Sequence, residues 1–267
     1  MTQDHLSSLN LTGCPTAYFA SPAFNHSPFP ISINGVREMN AKLFETMDRY
    51  KQEDAPLLFM EHMRVMFELD TDVQIRQKTS RPLSYLRMLR GWFFDSNRPE
   101  GAVIKGWVES RFGLRTLYHR EWLKKITDPA YVDYLSERMH PRFHTNSIDA
   151  QFDLLYEYCQ YFWLRFGLNT GRLDLFRGIN SLDQEVSVIE RISQRSLIIR
   201  NNCLNSYSSS IDRASEFGDL ILKVSVPYQK LFCTPEILPG KLPTYENEYL
   251  VLGGDFVSQI VDLISGG

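Results

Sequence analysis

Two carboxylates one residue apart, Glu246 and Glu248 in YENEYLVLGG, stand where an apolar run begins. In an extended strand alternate side chains share a face, so the pair would be presented together. The preceding CTPEILPGKLPTY is punctuated by proline and glycine as a loop is, and YLVLGG has the residue types of a buried strand bounded by glycines. Arg177 lies at the end of the short apolar strand in RLDLFRGIN, where a guanidinium could grip a diphosphate. Gly178 follows at once, where a missing side chain would let a ligand approach the backbone. In LNSYSSSIDRASEFGDLILKVSVP a strand ends in Ser208, Ser209 and Ser210, a helical turn follows, and LILKVSVP resumes the sheet. Each feature also has an ordinary reading. An E-x-E pair suits a solvated strand edge, a strand-end arginine suits a surface ion pair, and a serine run suits helix capping or turns. What sets them apart is that all three fall at strand boundaries.

Arg177 in FRG, Ser208 opening SSS, and Glu246 with Glu248 together resemble the R-S-E class of ADP-ribosyltransferases over roughly residues 168–267. Within that class LFRGIN, SYSSSIDRASEFGD and ENEYLVLGG, with the helical leader before them, resemble the dinitrogenase reductase ADP-ribosyltransferase family over nearly the whole chain. The class usually has threonine in the middle of its serine motif; Ser209 keeps the hydroxyl and loses only a methyl group.

The resemblance implies NAD as substrate, no metal, and a role for each residue. Cleaving the bond between nicotinamide and ribose develops positive charge on the sugar, as in other glycosyl transfers. Glu248 matches the catalytic glutamate that stabilises this charge in a prearranged site, and Ser208 would hold that carboxylate. Arg177 would take the diphosphate, and Gly178 would offer backbone groups to the nicotinamide amide. Glu246 matches the glutamate that engages an acceptor arginine: a guanidinium is protonated in water, and a carboxylate can orient its fork and take a proton as the new bond forms. Tyr245 resembles the aromatic residue of the substrate-recognition loop, and equally suits a half-buried tyrosine at a strand start.

The implied target is dinitrogenase reductase, the nitrogenase iron protein, modified on an exposed arginine so that nitrogen fixation is switched off. The resemblance also implies a P-II type nitrogen-signalling protein as regulator. Two other functions stay open at this level. An NAD glycohydrolase would use the same site with water as acceptor, and a non-catalytic protein would use its helices to bind a partner.

Residues 36–166 read as mainly helical, with amphipathic candidates VREMNAKLFETMDRY, PLLFMEHMRVMFEL, PLSYLRMLRGWFFD and IDAQFDLLYEYCQYFWLRF. The aromatic residues of the last would pack the junction with a strand-rich region that begins only afterwards. Pro15, Pro22, Pro28 and Pro30 make residues 1–35 read as an extended arm. The expected fold is α+β: a helical N-terminal part, with the partner or regulatory surface, packed on a split antiparallel β core at 167–267 with NAD in its cleft. The two parts suit either one continuous domain or two subdomains.

The 267 residues, 43% hydrophobic and 23% charged, suffice for a substantial core. Cys14, Cys159, Cys203 and Cys233 follow no paired spacing, so buried thiols are expected rather than a disulfide framework or zinc site. The chain lacks a signal-peptide pattern and a long apolar span, which predicts a cytoplasmic protein without membrane insertion. His140 and His144 in HPRFH have helical ligand spacing, but Pro141 stands between them and no third ligand is evident. Between Arg76 and Lys125 there are twelve lysines and arginines against four carboxylates, within a net charge of -3. Such a strip suits docking to an acidic protein surface or an ordinary solvated face; without a basic overall balance or a recognised motif, nucleic acid is not expected.

Overall fold

Residues 6–7, 10–69, 83–167, 171–182, 186–242 and 248–261 are described in the computed structural model. Helix Asn146–Phe166 joins its helical and strand-rich parts. The Thr145 side chain caps it by accepting from Ile148 N, and Gly167 ends it. Its aromatic face packs as the sequence predicts. Phe152 lies against Phe232, the Tyr156 hydroxyl donates to Gln229 O at 2.9 Å, and Gln160 Nε2 donates to Leu231 O at 2.9 Å. One cluster of buried apolar residues runs from Phe59 and Trp107 on the helical side to Leu197, Val224 and Leu252 in the sheet.

The predicted helices at 56–69 and 82–95 appear as Ala55–Met66 and Tyr85–Phe94. That at 36–50 is broken into Val36–Met39 and Ala41–Met47. At the break the Asn40 side-chain amide bonds the Val36 carbonyl at 2.8 Å, a local bond that competes with continued helix. Two further helices, Pro99–Phe112 and Pro129–Arg138, are not among the expected ones. For the first the reason is burial on every side, from Gly101 through Val108.

The N-terminal segment corrects the expectation of an extended arm, because it contains helical turns Thr16–Phe19 and Pro22–His26. Pro15 and Pro22 open these turns rather than prevent them: Pro15 precedes the first, and Pro22 occupies the first helical position behind the Ser21 cap, where no N–H is required. Phe19 and Phe24 are buried against Lys230, whose Nζ lies 3.6 Å from the Phe19 ring centre and donates to Gly253 O. Glu157, fully buried, fixes the rest of the segment by accepting from Ser32 Oγ, Ile33 N and Arg37 Nε.

Strands begin earlier than expected, with a small hairpin of β1 (Tyr118–His119) and β2 (Glu121–Trp122). Arg120 turns between them with φ 61°, held by its N–H on Asn97 Oδ1. The main sheet comprises β3 (Arg172–Ile179), β4 (Ser187–Arg191), β5 (Ser196–Ser208), β6 (Leu220–Pro227), β7 (Leu231–Cys233) and β8 (Glu248–Val261). All pairings are antiparallel. Strand β8 does not stop at its glycines but runs through Gly253 and Gly254 to Val261.

The pairings close a ring. Strand β5 pairs along β8, the far end of β8 pairs with β6, β6 pairs with β3, and β3 meets the end of β5 at Phe176 and Ser208. The mean register of β5 and β8 slips between Asn201 and Leu204, where β5 carries an extra residue opposite Gly253. A side chain at Gly253 would collide with the Asn202 carbonyl, so the bulge requires glycine there.

Candidate functional site

Closure of the ring brings Arg177, Gly178, Ser208 and Glu248 of the predicted residues to one cleft. Ser208, last in β5, is the register partner of Glu248, first in β8, and also of Phe176, the neighbour of Arg177 in β3. All three lie on a cleft of about 720 Å³ that Arg177, Gly178, Ser208 and Glu248 border from the sheet. The opposing contributions come from the helical part and its hairpin, including Trp92, Phe94, Lys105, Tyr118 and Trp122. A concave site of this size, with flat rings and a few convergent polar groups, has the character of a small-molecule pocket. Tyr245 and Glu246 lie outside the described residues.

Among the described residues Arg177 is held by neutral partners. Its Nη1 donates to Asn205 Oδ1 at 2.9 Å, and its guanidinium also bonds the Tyr207 hydroxyl. Among the described residues it forms no ion pair, so its charge is available to an anion. Asn205 is oriented in turn by donating to Asn202 O at 2.8 Å, and Tyr207 by donating to Asn201 Oδ1 at 3.1 Å. Burial pushes the Tyr207 phenol above its usual range despite the opposing pull of Arg177.

The three serines divide their work. Ser210 caps helix Ile211–Ser215 by accepting from Arg213 N, Ser209 bonds Tyr249, and the buried Ser208 hydroxyl accepts from Ser210 N at 3.1 Å. That leaves the Ser208 proton to be donated. Capping therefore accounts for Ser210 alone.

Gly178 has a packing reason that differs from the one expected. The place of its missing side chain is taken by the Ala214 carbonyl, where helix Ile211–Ser215 crosses β3. Close approach is required there by the chain itself, while Gly178 still borders the cleft.

Several cleft residues escaped the sequence reading. Asn202 sits in the β5 bulge and fastens the hairpin: its Oδ1 accepts from Leu117 N at 2.9 Å and its Nδ2 donates to Tyr118 O at 2.8 Å. Trp92 Nε1 donates to Ser206 Oγ at 3.0 Å, tying helix Tyr85–Phe94 to β5. A signal was present in RNNCLNSYSSS, since three amides inside a mostly buried strand contradict strand propensity. The same holds for Lys105, a lysine set in the apolar run AVIKGWV.

Among the described residues no group of three or more His, Cys, Asp or Glu side chains is placed to hold a metal. His144 instead faces Asp149 and His140 packs on Phe143. All four cysteines are free and buried. The basic strip is partly internal: Lys105 is buried and Arg111 is engaged by Asp153, while Lys124 and Lys125 are exposed. No helix among the described residues is long and apolar enough to cross a membrane.

The family model described as dinitrogenase reductase ADP-ribosyltransferase matches residues 9–260. A Rhodospirillum rubrum protein named NAD(+)--dinitrogen-reductase ADP-D-ribosyltransferase is 43% identical over 262 residues, covering 94% of this chain and 93% of that protein. No solved structure matches. With both matches spanning the ring of strands and the helical wall, the chain belongs to the dinitrogenase reductase ADP-ribosyltransferase family.

Proposed function

We propose that this protein transfers ADP-ribose from NAD to an arginine of dinitrogenase reductase, inactivating it and switching off nitrogen fixation. The observation that carries the reading is the meeting of Phe176, Ser208 and Glu248 at one register of the closed sheet, which sets a guanidinium and a carboxylate on one cleft. An elongated dinucleotide with two phosphates and two flat rings suits a cleft bordered by Arg177, which makes no ion pair among the described residues, with walls of Trp92, Tyr118 and Trp122.

In this reading Arg177 binds the diphosphate, with Asn205 and Tyr207 fixing its fork. Glu248 lies beside the ribose and stabilises the positive charge that develops as nicotinamide leaves. Ser208 donates its remaining proton to hold the Glu248 carboxylate, and Gly178 offers backbone groups to the nicotinamide amide. Glu246 orients the acceptor guanidinium and takes its proton, and Tyr245 contacts the acceptor protein. The helical part carries the surface for a P-II type regulator, and the protein works in the cytoplasm.

The test is incubation with adenine-labelled NAD and purified dinitrogenase reductase. Label should appear on that protein, with one nicotinamide released per label. In Glu246→Gln, labelling should fall by on the order of a hundredfold while slow NAD hydrolysis persists. Nicotinamide release without labelling of the target would replace transferase with glycohydrolase. Intact NAD after prolonged incubation would remove enzymatic function.

A further inference from the structure

Lys105 borders the cleft although it is only 1% exposed. Its Nζ donates to Tyr118 O at 3.1 Å and to His119 Nδ1 at 3.2 Å, beside the Trp92 ring. An ammonium carries three protons, and among the described residues no carboxylate lies within ion-pair distance of this one. For His119 to accept at Nδ1 it must be neutral with its proton on Nε2, which then faces Glu137 Oε2 at 3.2 Å. Glu137 is itself paired with Arg120 at 2.7 Å. Burial, reinforced by Lys105 and Arg120, lowers His119 to about 3, so the imidazole stays neutral. Two acceptors, Tyr118 O and His119 Nδ1, thus hold the ammonium at the cleft, and among the described residues one proton is left over.

Asp95, Glu109 and Glu137 favour the cation from beyond ion-pair distance but do not offset the cost of its burial, which a ligand anion at the cleft would reduce further. A lysine serving only to join the hairpin to its helix would be replaceable by a neutral donor at no such cost. We propose that Lys105 is an anion-binding residue of the cleft and contacts a phosphate oxygen of the dinucleotide, so that the helical wall shares phosphate recognition with Arg177. This rests on the reading of the cleft as an NAD site.

Binding of NAD, ADP and nicotinamide to the full chain, measured by calorimetry, tests it. In Lys105→Met and Lys105→Gln, NAD and ADP should bind about tenfold to a hundredfold more weakly, as expected on losing a charge-assisted hydrogen bond, with nicotinamide within about twofold of the unmodified protein. Unchanged NAD and ADP affinity, or equal weakening of all three ligands, overturns the proposal.

The unmodified protein gives a measurement that no variant's folding can spoil. Burial lowers Lys105 to about 8. The cation is present below that value and lost above it, so NAD affinity should fall as pH rises from 7 to 10. The groups around Lys105 are Asp95, Glu109, His119, Arg120, Glu137 and Cys203. His119, near 3, and the Cys203 thiol, pushed up to about 12 by burial, do not change charge in that window. A flat profile overturns the assignment. If the unmodified protein binds neither NAD nor ADP, the NAD reading falls and Lys105 with it; if it binds both and the variants match it, only Lys105 falls.

Discussion

The two walls of the cleft are built by different means. On the sheet wall backbone register places Ser208 and Glu248 through the long β5–β8 ladder and Arg177 through the β3–β6 ladder. On the helical wall, Trp92, Lys105 and Tyr118 are placed by a few side-chain bonds, chiefly Trp92 to Ser206 and Asn202 to Leu117 and Tyr118. The difference teaches where chemistry and shape can be separated. A conservative change on the sheet wall can remove a charge without moving the frame, whereas a change at one tether can move the opposing wall and leave every reacting group intact.

The largest effect is expected on the sheet wall. Glu248→Gln keeps the shape of the side chain and removes the charge that opposes the developing cation, so transfer and NAD hydrolysis should both fall by on the order of a hundredfold or more. NAD binding should remain, because Arg177 is untouched. Near-normal turnover in the folded variant would remove Glu248 from catalysis and with it the contrast between walls.

Asn202→Ala tests the helical wall. It leaves the Leu117 N–H without its side-chain partner and the Tyr118 carbonyl with Lys105 alone, which should destabilise the protein by about 1–3 kcal/mol in chemical denaturation. The KM for NAD should rise by about tenfold with kcat changed far less, since the wall shifts while Glu248 stays in register. A loss confined to kcat would show that the hairpin acts on the chemistry directly.

Acid should loosen the helical wall through His119. Its folded-state value, about 3, lies below the ordinary 6.5, so the unfolded chain binds the extra proton first as pH falls. The stability associated with neutral His119 is therefore present above about 6.5 and lost progressively towards 3, on the order of a few kcal/mol across the window. His119→Gln should flatten this part of the stability profile measured by denaturant unfolding. An unchanged slope would show that other groups govern acid unfolding.

The smallest effect is expected at the surface. Lys124 and Lys125 are exposed, follow the hairpin in sequence and do not line the cleft. If they steer an acidic target, Lys124→Ser with Lys125→Ser should slow modification of dinitrogenase reductase several-fold at low salt and lessen its salt dependence. Turnover on a small arginine analogue should stay the same. Equal effects on both acceptors would assign docking elsewhere.

The strand-boundary motifs were legible because each depends on near neighbours. Arg177 before Gly178, the serine run before a short helix, and Glu248 before an apolar strand are local patterns, and β3, β5, β6 and β8 form where those patterns place them. The amphipathic helices at 55–66, 85–94 and 146–166 were legible for the same reason. Helix Pro99–Phe112 was not, because burial on all faces erases the period that reveals a helix. The N-terminal turns were misread because proline marks a helix start as well as an extended chain.

By itself, then, the sequence determined which residue types stand at the strand ends and the family to which the chain belongs, since both are written in contiguous motifs. Tertiary structure alone decided that Phe176, Ser208 and Glu248 share one register, that Asn205 holds Arg177, and that a buried Lys105 faces the same cleft. The physical reason is separation along the chain. Arg177 and Glu248 are brought together by closure of a ring of strands, and Lys105 by packing of a featureless helix, and neither event leaves a local periodicity to read.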